Sequence, residues 1–479
     1  MRIGMIAEGS YPYVRGGVSS WIHTIISSLP EHEFEIIAIS DRARQESERK
    51  FTLPANVSGI TDLALTHSVS QRKKPTRLKK EDVATLRSWF RFQPAERALA
   101  LIGEIQRFGT VDGFFESRFF WDVVQETYME EHPSASFIEY FWMWRSMYTP
   151  VISLLHHELP AVDIVHSVST GYAGLLAAYM KQTQDIPMIL TEHGIYARER
   201  EEEILQSSWV PFLYKKQWIT FFYHLARQAY READDIITLF ERNAAYQTES
   251  GAPAEKMQII ANGIDYSTYS RLAPRPRGDL FKIGMIARIV PIKDIKTMLY
   301  AAKILYDEGV PFELTVMGPT DEMESYYLEC LQLIASLGLT ERVFLVGNVD
   351  ITSFLPTFDM LALSSISEGQ PLSVLEGMAA GIPWVVTDVG ACSELLYGTA
   401  EDGFGQAGWV VPPVNAALLA EKCRWLYEHP AEARQFGING RRRAEAYYQT
   451  KQMIDRYRAL YAQRGHQYGR NRLSSTKPV

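Results

Sequence analysis

The chain has 479 residues, too many for one ordinary hydrophobic core, so two or three domains are expected. Apolar residues make up 46% of it, and the net charge of −8, with 49 basic residues spread along the chain, argues against a dedicated nucleic-acid surface. The three cysteines, Cys330, Cys392 and Cys423, are too few and too far apart for a disulfide framework or a zinc site, which predicts a reducing compartment.

In chain order, MRIGMIAEGSYPY carries no apolar run followed by a cleavage site, and no run of 18 apolar residues occurs. A cytosolic protein is expected, peripheral at a membrane only through partners. Ile3–Ala7 reads as a short buried strand, followed by a loop with Gly16 and Gly17 and then the helical pattern VSSWIHTIISSL. Further strands are expected at FEIIAIS, VDIVHSV, MILTEH, DIITLF and MQIIAN. Helices are expected at YAGLLAAYMKQ and along ILQSSWVPFLYKKQWITFFYHLARQAYREA. From about 42 to 160 the alternation lapses into a largely helical insertion. Its basic start, Arg72, Lys73, Lys74, Arg77, Lys79 and Lys80, is a solvated loop or a contact for an anionic partner. Its aromatic continuation, FFESRFFWDVV and FIEYFWMWRSMY, is a packed subdomain or a docking surface.

Near TYSRLAPRPRGD there is no apolar period, and the first domain is set at 1–270. The pentapeptide IGMIA then recurs at Ile283–Ala287, and strands FELTVMG, VFLVG, DMLALS, PWVVT and GWVVP alternate with helices over 278–446. Residues 447–466 read as one further helix and 467–479 as a polar tail. Short apolar strands alternating with helices, written twice, predict an α/β protein of two Rossmann-like domains with parallel sheets.

The sharpest chemical pattern is SEGQPLSVLEGMAAGIP. Glu368 stands before a turn, Pro371 at a helix start, and Glu376 inside the helix. The N–H groups of Leu372 and Ser373 lie between the carboxylates, and such a terminus suits a phosphate. In ARIVPIKD, Arg288 and Lys293 follow the repeated strand and suit a diphosphate leaving group. Gly16 and Gly17 let backbone approach a ligand closely. His193 closes a strand in LTEHGIYARE and is structural or catalytic. The one G-x-G-x-x-G, at Gly403, Gly405 and Gly408, leads into a strand rather than from a strand into a helix, so dinucleotide binding is not expected. His156, His157 and Glu158 are adjacent and cannot share a helix face as metal ligands. There is no Asp-x-Asp metal–diphosphate motif.

Together Gly16–Gly17, His193, Arg288 with Lys293, and Glu368 with Glu376, in that order, resemble glycosyltransferase family 4, retaining enzymes of the GT-B fold. ANGID, with Asn262, Gly263 and Asp265, is similar to that family's interdomain segment. The resemblance implies two Rossmann-like domains facing a shared cleft, with the last helix crossing back onto the first. It implies that Arg288, Lys293, Leu372 and Ser373 hold a diphosphate, that Glu376 binds ribose and Glu368 the transferred sugar, that His193 contacts that sugar, and that no metal is needed. Where the family often has His-Asp, this chain has His193–Gly194, and Glu192 is the carboxylate that could stand in. EGSYPYVRGGVSSWIH with the aromatic-rich insertion narrows the resemblance to the cytosolic glycosyltransferases of bacterial Pel exopolysaccharide synthesis. That implies a UDP-sugar donor, an oligosaccharide acceptor, no cofactor, and docking to an inner-membrane polysaccharide synthase complex. The rival reading is a catalytically silent GT-B scaffold or nucleotide-sugar sensor in an export complex.

Overall fold

The computed structural model describes residues 1–65, 78–104, 110–272, 278–399 and 402–475. Of the basic cluster, Arg72, Lys73, Lys74 and Arg77 lie outside the described residues, as does 273–277 of the expected join. The chain divides into two units. One comprises Met1–Thr238, Ala244–Gln258 and Tyr457–Val479, the other Leu239–Asn243 and Ile259–Arg456. Each holds one Rossmann-like sheet. Among the described residues, no helix is long and apolar enough to cross a membrane.

The first sheet has seven strands in the order β3-β2-β1-β4-β5-β6-β7. These are β1 Arg2–Glu8, β2 Glu33–Ser40, β3 Val57–Ala64, β4 Ile164–Ser167, β5 Met188–Glu192, β6 Asp235–Thr238 and β7 Met257–Ile259. Pairing from β3 through to β6 is parallel throughout. β1, β2, β4 and β5 are buried along nearly their whole length because helices cover both faces of a parallel sheet. The helix Gly17–Ser28 buries Trp21, Ile22, Ile25 and Ile26, and the helix Gly171–Gln184 is buried along most of its length. The strand order reverses between β1 and β4, which makes their C-terminal ends the switch point where such folds bind ligands.

Three sequence expectations are corrected here. The segment expected to be a helical insertion from about 42 begins with β3, an edge strand. Its sequence VSGITDLA has no continuous apolar run because an edge strand is only partly covered, and Asp62 accepts a hydrogen bond from the Tyr13 hydroxyl at 2.8 Å. The long segment from Ile204 is not one helix. Pro211, with no N–H to donate, separates the helix Tyr196–Gln206 from the helix Lys215–Glu232. The expected helix 447–466 starts at Thr450, after a break that separates it from the helix Pro430–Tyr447, and it continues to Ser475 through much of the expected tail. The break has a tertiary cause. Ile264 donates to the Tyr448 carbonyl and accepts from the Thr450 N–H, each at 2.9 Å, forming an isolated parallel bridge with Gln449. Gly263 permits it, since a Cβ there would stand 2.4 Å from the Thr450 nitrogen.

Beyond β3 the insertion is helical, and most of its aromatic residues are core. Trp89, Phe90, Phe114, Phe120, Tyr140, Trp144 and Tyr148 are buried in one cluster with Phe221 and Leu225 of the helix Lys215–Glu232. Trp121, Ile138 and Trp142 remain exposed. His224, against the rings of Trp89 and Phe92, is pushed down to about 3 by burial and is neutral. It helps tie the insertion to the domain.

The second sheet is parallel throughout, in the order β10-β9-β8-β11-β12-β13. Its strands are β8 Phe281–Ile286, β9 Phe312–Met317, β10 Val343–Gly347, β11 Met360–Leu363, β12 Trp384–Thr387 and β13 Gly408–Val411. Here the order reverses between β8 and β11. The glycines at 403, 405 and 408 lie in the entry to β13, not in a strand-to-helix turn.

The last helix belongs to the first unit from Tyr457 onward. The Tyr461 hydroxyl is 2.6 Å from His166 Nδ1, the Tyr457 hydroxyl is 3.1 Å from Thr191 Oγ1, and Arg464 pairs with Asp235.

Candidate active site

In the second domain, Arg288 and Lys293 both follow β8, and Ser364, Ser365 and Glu368 follow β11, so the two loops flank the switch point. Lys293 ends a single 3-10 turn, and Asp294 then caps the helix Ile295–Asp307 by accepting from the Thr297 N–H at 3.2 Å. Ser364 Oγ donates to the Lys293 and Asp294 carbonyls at 3.1 and 2.9 Å, stitching the β8 loop to the β11 loop. That brings Lys293 Nζ to 2.5 Å from Glu368 Oε1, which also accepts from Ser365 Oγ at 2.6 Å. The ion-paired side chains are only 18% and 11% exposed. Gly390 holds the Glu368 loop in place. It adopts φ +50°, and a Cβ there would meet the Gly369 carbonyl at 2.0 Å and that of Glu368 at 2.4 Å. Only glycine satisfies both conditions.

Arg288 is half-exposed and pairs with Glu322 at 2.7 Å. Arg288 and Lys293 line one cavity of about 230 Å³ with Gly318, Pro319 and Asn348. The helix Leu372–Ala379 starts after Pro371, which offers no side-chain acceptor to the first N–H groups, those of Leu372 and Ser373. An uncapped terminus carries partial positive charge and suits an anion. Gln370 Oε1, just before it, accepts from the Asn262 N–H at 2.6 Å, linking this turn to ANGID. Glu376 makes no ion pair with Lys293 among the described residues. Burial raises its pKa, and a hydrogen bond from the Tyr269 hydroxyl opposes the rise.

In the first domain, Gly16 and Gly17 open the helix Gly17–Ser28. Gly16 has extended backbone that any residue adopts, and Cβ atoms at both positions would meet nothing within 4 Å. Neither conformation nor packing inside the protein demands glycine here, which leaves bare backbone facing open space. His193 follows β5, edge-on to Trp21 of the same helix at 4.8 Å between centroids. Its Nε2 is buried without a partner, and desolvation pushes its pKa down to about 4, so the imidazole is neutral. Trp21 also packs on Tyr457, so the C-terminal helix buttresses this corner.

Glu192 is consumed inside the domain. It accepts from Thr170 Oγ1 at 2.9 Å, the Tyr196 N–H at 3.1 Å, the Tyr230 hydroxyl at 2.6 Å and Gln247 Nε2 at 2.9 Å. Four donors leave the carboxylate no capacity for a substrate hydroxyl. His156 is structural too, with Nε2 at 3.1 Å from the Ile102 carbonyl.

The structure therefore joins Lys293 to Glu368, sets Arg288 beside Lys293, and places Leu372, Ser373 and Glu376 on one short helix of the same domain. It sets His193 against the helix that Gly16–Gly17 opens. Sequence reasoning missed Ser365, Tyr269, Glu322 and Trp21, which orient these groups. Ser365, three residues before Glu368, and Trp21, four after Gly17, lay near enough in sequence to be found.

Comparison with known proteins agrees with this architecture. Residues 1–255 match the model of a domain of unknown function, DUF3492, and residues 271–443 match that of the glycosyl transferases group 1. The chain is 24% identical over 308 residues to the MMP alpha-(1->4)-mannosyltransferase of Mycolicibacterium hassiacum, covering 62% of this chain and 70% of that protein. Of some other curated relatives it spans about half the length. The sucrose-phosphate synthase of Thermosynechococcus elongatus superposes with TM-score 0.62 at 17% identity, over 96% of this chain and 98% of that one. The Anabaena protein HepE, solved in complex with UDP, superposes with TM-score 0.60 at 15% identity, over 97% and 100%. The chain belongs to the DUF3492 family, its residues 271–443 carry a glycosyl transferases group 1 domain, and its fold is that of GT-B glycosyltransferases.

Proposed function

We propose that this group 1 glycosyltransferase transfers a sugar from a UDP-sugar donor, with retention of configuration and without a metal, to a growing bacterial exopolysaccharide. The observation that carries the reading is the mostly buried Lys293–Glu368 pair at the β8/β11 switch point, beside Arg288 and an uncapped helix N-terminus. A diphosphate needs cations and N–H donors. Arg288 and Lys293 supply the cations that a metal would otherwise supply, and Leu372 and Ser373 supply the N–H groups. We assign Glu376 to the ribose hydroxyls, Glu368 to hydroxyls of the transferred sugar, and neutral His193 to the same sugar. Gly16–Gly17 offers backbone to the phosphates.

As the C1–O bond to the diphosphate breaks, negative charge grows on the leaving oxygen, and Arg288 and Lys293 stabilise it. The acceptor hydroxyl attacks on the face that the leaving group departs from, and its proton passes to the departing phosphate. No carboxylate is assigned as a nucleophile, so the double displacement used by retaining hydrolases is not invoked. The UDP in the HepE structure is in keeping with a UDP donor. The polysaccharide assignment rests on the resemblance of EGSYPYVRGGVSSWIH and the aromatic insertion to PelF. On that reading the protein works in the cytosol, beside an inner-membrane polysaccharide synthase complex.

Turnover tests the proposal. The protein is incubated with UDP-glucose, UDP-galactose and their N-acetyl forms, and UDP release and the anomeric configuration of the product are measured. Release from at least one donor with retained configuration is expected. No release from any donor, or an inverted product, overturns it.

A further inference from the structure

Glu199 sits in the first turn of the helix Tyr196–Gln206, six residues after His193. A Cβ built at Gly194 would stand 2.3 Å from Glu199 Oε1 and 3.4 Å from its Cδ. The Glu199 carboxylate thus occupies the space that a side chain at 194 would fill, immediately after His193. The other acidic groups near this sheet end are engaged. Glu192 has its four donors, and Glu8 accepts from the Ala173 N–H at 3.1 Å and the Tyr196 hydroxyl at 2.7 Å. On the same helix Glu202 pairs with Arg198, Glu203 with Arg200, and Glu201 accepts from the Tyr223 hydroxyl. Glu199 alone in this group accepts no hydrogen bond and makes no ion pair among the described residues. Neighbouring atoms still raise its pKa by desolvation, although the residue itself is exposed. In the residue just before Gly194, His193, Nε2 is buried and unpartnered. An exposed carboxylate with no protein partner and a neutral imidazole with a buried, unpartnered Nε2, at the C-terminal end of a parallel strand, suit a ligand carrying hydroxyl groups.

We infer that Glu199 is a further binding residue: seated in the side-chain space of Gly194 beside His193, its carboxylate accepts a hydrogen bond from a hydroxyl of the transferred sugar. Gly194 is then what gives Glu199 room. The inference rests on the donor reading above and adds a residue to it.

The test uses the full-length protein and whichever UDP-sugar of the panel it turns over, with UDP alone as the control ligand. Glu199→Ala removes the carboxylate, and Gly194→Ala displaces it, because the clash is with the mobile end of a side chain. Both variants should bind UDP within about twofold of wild type and melt at the wild-type temperature, while turnover falls about tenfold to a hundredfold, the effect of losing a charged hydrogen bond. The double variant Gly194→Asp/Glu199→Ala returns a carboxylate to the same space and should recover most of the loss. Turnover by Glu199→Ala within about twofold of wild type overturns the inference. So does a loss that Gly194→Ala does not reproduce, or one matched by an equal loss of UDP affinity. Wild-type protein that binds no UDP at all fails the donor reading instead, so the two failures are distinct.

Discussion

Lys293→Ala lowers turnover about 100-fold or more, the equivalent of roughly 3 kcal/mol of transition-state stabilisation. Two effects combine. The variant loses the point charge assigned to the leaving diphosphate, and it leaves Glu368, 11% exposed, without its cation. Only Ser365 Oγ would remain on that carboxylate oxygen, so uncompensated negative charge would stand where the phosphates are to bind. The fold should survive, because Lys293 holds its loop through its carbonyl and the backbone of Asp294, which the substitution keeps. Steady-state UDP release, with the melting temperature as control, measures the effect. Activity within threefold of wild type contradicts the assignment.

Arg443→Met destabilises the second domain by about 3–5 kcal/mol, the cost of breaking a buried ion pair from one side. Arg443 is fully buried, pairs with Asp402, and donates to the carbonyls of Leu395, Leu396 and Gly405 at 3.1, 3.0 and 2.6 Å. It ties the helix Pro430–Tyr447 to the loop that enters β13. Methionine fills much of the volume but strands the Asp402 charge and three carbonyls. Adding Asp402→Asn should recover part of the loss. Denaturant unfolding followed at the second-domain transition reads the effect, and a shift below about 1 kcal/mol would show that water replaces the arginine.

Much of the fold was legible because strands buried on both faces are written as continuous apolar runs, such as IGMIA at both sheet starts. β3 was not, because an edge strand needs no such run. The break at Tyr448–Gln449 was not, because its cause is a pairing with Ile264 far earlier in the chain. The site was legible as residue types but not as partnerships. Arg288, Lys293, Glu368 and Glu376 stood out by spacing, yet Lys293 and Glu368 are 75 residues apart and only the sheet order joins them. Glu192 looked available because it neighbours His193. Its donors come from Thr170, Tyr196, Tyr230 and Gln247, three of them remote, and they remove it from consideration. Glu199 lacked any pattern, since its placement follows from an empty Cβ position at Gly194.

The central claim is that the second domain holds a uridine diphosphate through protein cations. Calorimetric titration of the protein with UDP, ADP and GDP, with and without EDTA and alongside Lys293→Ala, tests it most directly. The account predicts UDP-selective binding that survives EDTA and is lost in Lys293→Ala. Failure to bind any of the three nucleotides would contradict it and favour the catalytically silent scaffold.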